Sequence, residues 1–285
     1  MAGLLAASTT PLAGRAKWAL DYGETICTLS RTFAAKNGRD VKLIVRSTPL
    51  RGSYTVTVVL PDEGGGLLRG GITVSFGGEP PQEVLLESYP AAAASNRIWR
   101  FGIQRDAIGA ARSDAMLTLT PSRGTPVALS MEGGDRAWAA LDACGVDLLQ
   151  RWGVDPDEKA KIARPPEAIG DEAMFLRSED YPVEAIRHGA QGNTRLFFTI
   201  GSSGAVTECR VVEGSGVEVL DRASCAALMR RGRYSPAIGK DGQAMITHKT
   251  RSVLWRLPGV WKTDAAYRRI MAEQMRALRD ENGMR

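Results

Sequence analysis

Residues 25–131 carry one short β-type run after another, and that alternation leaves few folds open. The runs fall at 41–45, 54–60, 72–76, 83–87, 97–101, 116–120 and 127–130, and Gly/Pro-rich clusters at 61–66, 77–81 and 121–124 separate them. Strands spaced by roughly 8–14 residues with turn signals between them predict a sandwich or barrel. The expected fold class is α+β, beginning with a β-sandwich-like domain over 17–153. The domain closes with a helix: Ala137, Leu141, Cys144 and Leu148 recur at i, i+4, i+7 and i+11, giving one apolar stripe. Asp135 is the expected N-cap, and the helix should end near Trp152 and Gly153. That stripe would carry Cys144 against the sheet, where Cys27 could meet it.

Residues 154–177 hold Pro156, Pro165 and Pro166 among charges and read as a linker. A second, smaller unit over 178–258 has the order helix, strand, strand, helix, strand. Its helix around Ala185 is introduced by Tyr181-Pro182. A hairpin of 193–200 and 206–212 turns at Gly201-Ser202-Ser203-Gly204. A helix over 217–231 follows, and a last strand over 243–257 puts Ile246, His248, Thr250, Ser252 and Leu254 on one side. Residues 259–285 read as a charged C-terminal helix with Tyr267, Ile270, Met271, Gln274 and Leu278 on one face, and packing on its own domain is the favoured arrangement.

Composition excludes several classes. Of 285 residues 44% are hydrophobic and 24% charged, as in ordinary globular proteins. No stretch reaches the ~20 consecutive apolar residues of a membrane-spanning helix, so no transmembrane helix of the chain's own is expected. The net charge of +5 is concentrated from Arg177 onward, where 18 basic residues face 12 acidic ones. Arg230-Arg231-Gly232-Arg233 is the only short basic cluster and suits a helix end, so nucleic acid is not an expected partner. With two histidines and no CxxC pair, a zinc site is poorly supplied, and neither a metal nor another cofactor is expected. The first unit has no histidine and no nucleophile motif, so no enzyme is expected.

The start, residues 1–16, has a short apolar run and small residues ending at Gly14 and Ala16, like part of a secretory signal. An even count of cysteines fits an oxidising compartment. Four cysteines allow three pairings. The economical one joins Cys27 to Cys144 and Cys209 to Cys225; four buried thiols are the alternative.

The joints of the second unit are distinctive: Tyr181-Pro182, then Gly192, the Gly204 turn, Ser215-Gly216 with Leu220-Asp221, and Arg233-Tyr234-Ser235-Pro236-Ala237 leading to the last strand. From about Glu179 to Leu257 the chain resembles the C-terminal domain of the TonB energy-transducer family, an αββαβ module. Pro182 presets φ at a helix start. Gly192 and Gly204 are expected to take left-handed conformations, and Leu220 to anchor the second helix. Pro236 is expected to stop that helix. Cys209 and Cys225 fall where some members of the family carry a strand-to-helix disulfide.

The resemblance implies binding. Members dock an extended segment of an outer-membrane receptor, and an open strand edge can accept such a segment as an added strand. The corresponding edge here is Ile246, Thr247, His248, Lys249, Thr250, Arg251, Ser252, Val253 and Leu254. The segment before Tyr181 would lie beside it, and Thr247, Lys249 and Arg251 would tune partner choice. The implied setting is the periplasm or cell envelope of a Gram-negative bacterium. The implied partner is an outer-membrane receptor or another envelope protein, and a dimer through the last strand is a further possibility. The implied role is linked to transport across the cell envelope; the alternatives are a soluble interaction or scaffold protein that transmits no force, and an enzyme housed in the first unit, which the residues there do not favour.

Overall fold

The computed structural model describes residues 10–34, 38–47, 50, 52–64, 66, 68–77, 79–91, 95–105, 108, 116–257, 262–263, 269–270 and 272–273. The first unit is built from β1 (Ala19–Tyr22), β2 (Cys27–Ala34), β3 (Asp40–Ser47), β4 (Ser53–Pro61), β5 (Leu68–Phe76), β6 (Gln82–Pro90), β7 (Asn96–Gln104), β8 (Met116–Pro121) and β9 (Val127–Ser130). Alternation drives it: in β3, Val41, Leu43 and Val45 are buried while Asp40 and Lys42 face water.

The expectation of a sandwich is corrected. The strands form one sheet in the order β1-β2-β3-β4-β7-β6-β5-β8-β9. Residues 12–15 join its two ends. Leu12 exchanges backbone hydrogen bonds with Ala128 and Ser130 on one side, while Ala13 and Arg15 bond Ala34 and Thr32 on the other. The curled sheet therefore closes on itself. Period-two burial is the same in a sandwich and in a closed sheet, so alternation could not choose between them. The stretch expected to be a signal is thus partly in the fold: residues 10–16 are ordered against β2 and β9, and residues 1–9 lie outside the described residues.

Helix α1 (Gly134–Arg151) packs across β1, β2 and β3. Leu141, Cys144 and Leu148 are fully buried, as the stripe predicts, and Cys144 is bonded to Cys27. Trp138 inserts edge-on between Tyr54, at 5.1 Å, and Phe76, at 6.5 Å. The cap differs from expectation. Gly133 precedes the helix in a left-handed conformation, and Asp135 sits one residue inside, in the first turn, where its charge suits the helix dipole.

Residues 154–177 are folded rather than a free linker. They contain α2 (Glu158–Lys161), β10 (Ile162–Arg164), β11 (Glu167–Ala168) and a 3-10 turn at Glu172–Phe175, and a second 3-10 turn follows at Ser178–Asp180. The second unit continues with α3 (Val183–Arg187), β12 (Gly192–Ile200), β13 (Val206–Glu213), α4 (Glu218–Arg231), β14 (Tyr234–Ser235), β15 (Ala237–Gly239), β16 (Ala244–Met245) and β17 (Thr247–Trp255). Strand β10 pairs with β15, and β11 with β14, which fastens the connection to the second unit. Arg230 and Arg231 both bond Asp180, so the basic cluster is used internally.

Strand β12 is central in the sheet β13-β12-β17 and is buried on both faces. Leu196, Phe198 and Ile200 join Leu220 and Leu228 of α4 in one core. On its other face Phe197 joins Leu149, Val154 and Val212 in a second cluster against the end of α1. A strand covered on both sides needs a nearly continuous apolar run, which Leu196-Phe197-Phe198 supplies. Cys209 of β13 is bonded to Cys225 of α4. Within the expected C-terminal helix, Lys262–Thr263 (β18) instead pairs in parallel with β5, returning the chain to the first unit. Residues 269–270 and 272–273 are helical, with Ile270 buried. Tyr267, Met271, Gln274 and Leu278 lie outside the described residues. Among the described residues, no helix is long and apolar enough to cross a membrane.

Candidate binding edge

Strand β17 pairs with β12 along its whole length, from Thr247 opposite Ile200 to Trp255 opposite Gly192. It has no strand neighbour on its other side among the described residues. The His248 N–H points away from β12, because it donates to Glu158 Oε1 at 2.9 Å. Backbone groups alternate direction along an antiparallel strand, so those of Thr250, Ser252 and Leu254 also face outward. These three positions are the open part of the edge. Its first donor is capped by Glu158, which also meets His248 Nδ1 at 2.5 Å.

Ile246 lies outside β17. It separates β16 from β17 and is 57% exposed, so the last strand is broken where the sequence reads as continuous. The two faces of β17 then divide the predicted edge residues. Thr247, Val253 and Trp255 turn inward, and the Trp255 indole N–H donates to Ser224 Oγ at 2.8 Å. On that face Lys249 Nζ lies 5.0 Å from the centre of the Tyr234 ring, and the Arg251 guanidinium 5.9 Å from that of Phe175. Both cations stand 3.9 Å from Glu172. The side chains expected to tune partner choice are thus a buried threonine and two cations already engaged within the chain. Tyr234 donates to Glu172 at 2.6 Å. Burial, reinforced by that carboxylate, pushes its phenol far above the usual range. On the opposite face the His248 ring stacks on Phe197, with centres 5.4 Å apart, and Leu254 is 47% exposed.

The segment before Tyr181 does not run beside β17 as a strand. It pairs with β14 and sends Glu172 across the Lys249/Arg251 face, so it leaves the open edge free.

The joint residues are scaffold. Gly204 has φ +83, and a Cβ there would lie 1.8 Å from the Tyr234 carbonyl oxygen. The hairpin turn and the Tyr234 segment touch, with the Tyr234 N–H donating to the Gly204 carbonyl at 2.8 Å. Gly192 is corrected: it is needed for close approach, not for a left-handed conformation, because a Cβ would meet the Ser215 carbonyl oxygen at 2.8 Å. The left-handed residue after α3 is Gly189. Asp221 Oδ1 accepts from Ser215 N at 2.8 Å and Thr194 Oγ1 at 2.6 Å, which latches α4 to β12, and Gly216 has positive φ in the same turn. Leu220 is fully buried. Pro236 lies between β14 and β15, after α4 has already ended at Arg231. The Tyr181 hydroxyl donates to the Ala190 carbonyl at 2.6 Å, and Pro182 immediately precedes α3.

Sequence reasoning missed Glu158 and Glu172. Each acts on β17 from the connecting segment, and nothing local in sequence ties a lone glutamate to a strand some 80 or 90 positions away. It also missed the seam between the units. There Arg46 and Arg195 share Glu213 at 2.9 and 3.3 Å, and Arg195 also donates to Thr55 at 2.9 Å. No curated protein matches the chain. Residues 177–257 match the family model of the Gram-negative bacterial TonB protein C-terminal, which identifies the second unit as a TonB C-terminal domain.

Proposed function

We propose that this protein binds an extended segment of another cell-envelope protein by strand addition to β17. The observation that supports the reading is the outward backbone of Thr250, Ser252 and Leu254, unpaired among the described residues, on a strand that is terminal in its sheet. Main-chain pairing there supplies affinity without requiring particular side chains. The family match supports a Gram-negative envelope partner, an outer-membrane receptor foremost. Two disulfides suit the periplasm. The second unit is fastened to the first through the Phe197 cluster and the Arg46–Glu213 pair, which favours a rigid binding platform.

Thr250→Pro tests this. Because the Thr250 N–H faces outward, proline leaves the β12 ladder intact and removes only an edge donor. The variant should melt within a few degrees of wild type yet lose its partner in co-purification from envelope extracts. A folded variant that recovers the partner as well as wild type rules strand addition out. If the edge serves a second copy of the chain instead, the same substitution shifts the oligomer to monomer in size-exclusion chromatography.

A further inference from the structure

The outward-facing end of β17 overhangs a cleft of about 250 Å³ between the two units, lined by Leu254, Trp255 and Arg256 from one side and by β5, β6 and β7 residues from the other. Its charge is unbalanced. Arg69 and Arg256 both bond the single carboxylate of Glu87, at 3.0 and 3.1 Å. A third guanidinium, Arg100, has no acidic partner among the described residues; it lies 6.0 Å from the centre of the Tyr89 ring, and its Nε is buried without a hydrogen bond. The Nε of Arg256, in the same cleft, is likewise a buried donor without an acceptor among the described residues. Arg100 and Arg256, each with a buried Nε donor unmet among the described residues, form a site that an anion would complete, since an unmet buried donor on a cation is costly and a charge-assisted pair relieves it.

The position of the cleft selects the anion. A segment added to β17 alternates its side chains between two faces. One face meets the Glu172 side. The other meets the first unit and, beside Leu254, opens into the cleft. The anion that an unmodified extended segment can present there is the carboxylate of Asp or Glu. We propose that the cleft is a carboxylate subsite that takes one acidic side chain of the segment paired to β17 and fixes its register. This rests on the strand-addition reading and adds to it a residue preference, read by Arg100 and Arg256 together.

Short blocked peptides of alternating Val and Thr, carrying one Glu at successive positions, provide the probe, each with a Gln counterpart, titrated against the full chain by calorimetry. At one register position the Glu peptide should bind about tenfold more tightly than its Gln counterpart, as expected for a charge-assisted contact. Arg100→Gln should abolish that difference and Arg100→Lys should retain part of it, while Thr250→Pro should abolish binding of every peptide. If Glu and Gln peptides bind alike at all positions while Thr250→Pro still blocks them, the subsite is overturned and strand addition stands. A Glu preference that survives both Arg100→Gln and Arg256→Gln overturns the subsite as well. Binding that ignores Thr250→Pro, or no binding by any peptide, overturns the subsite and strand addition together.

Discussion

Glu158 holds the open strand at one point. The residue is 7% exposed, and its carboxylate accepts from the His248 main chain while meeting the His248 ring. Removing it leaves a partly buried N–H and an imidazole without their acceptor, a loss of about 1–3 kcal/mol. Glu158→Ala should therefore lower the unfolding free energy from urea titration by that amount, moving the midpoint down, and speed hydrogen exchange at the His248 amide. An unchanged midpoint with unchanged exchange would mean that the cap contributes nothing. The residue scale is also where the sequence was least informative. Gly204, Ser215 and Asp221 could be singled out from their spacing, but their reasons lie in contacts: a carbonyl in van der Waals reach of Gly204, and a carboxylate bridging Ser215 and Thr194. Glu87, Arg69 and Arg100 gave no signal at all, because charged residues on strand faces read as solvated until another unit covers them.

Elements were more legible than contacts. Alternation located the strands of the first unit, and the apolar stripe of α1 placed Cys144 correctly, since both signals are local and periodic. Closure of the sheet was not legible. It depends on residues 12–15, which carry no strand-like run and find their partners on β2 and β9. The connection after α1 was misread for a similar reason: β10 and β11 are too short to show a period and exist only because β15 and β14 pair with them. The disulfides act at this scale too. Cys209–Cys225 ties β13 to α4 and closes 16 residues, a constraint worth about 3 kcal/mol in the chain-entropy account. Cys27–Cys144 spans 117 residues, and the same account makes it the stronger tie. Replacing the second pair with Cys209→Ala and Cys225→Ala should lower the unfolding free energy by about 3 kcal/mol in guanidinium titration, and replacing Cys27 and Cys144 by alanine should lower it more. A larger loss from the Cys209/Cys225 pair would contradict the loop-length account.

For the whole molecule the decisive question is whether the two units behave as one. The seam combines an apolar cluster of Phe197, Leu149, Val154 and Val212 with the Arg46–Glu213–Arg195 network and the Arg256–Glu87 pair. Trp152 packs on Phe197 with ring centres 4.8 Å apart. Phe197 is thus the side chain of β12 that belongs to the seam, whereas its neighbour Phe198 belongs to the second unit's own core. The pair offers a clean contrast. Truncating a buried phenylalanine costs about 3–5 kcal/mol, but the two truncations should spend that loss in different places. Phe198→Ala should weaken the second unit directly. Phe197→Ala should weaken the coupling between the units, splitting one calorimetric transition into two while each unit keeps its own disulfide-tied core. In the proposed binding mode the cleft needs arginines from both units, so Phe197→Ala should also erase the Glu-over-Gln preference of an added peptide while leaving its main-chain pairing to β17. A single, uniformly lowered transition with that preference intact would show that the seam is not what holds the first unit under the edge.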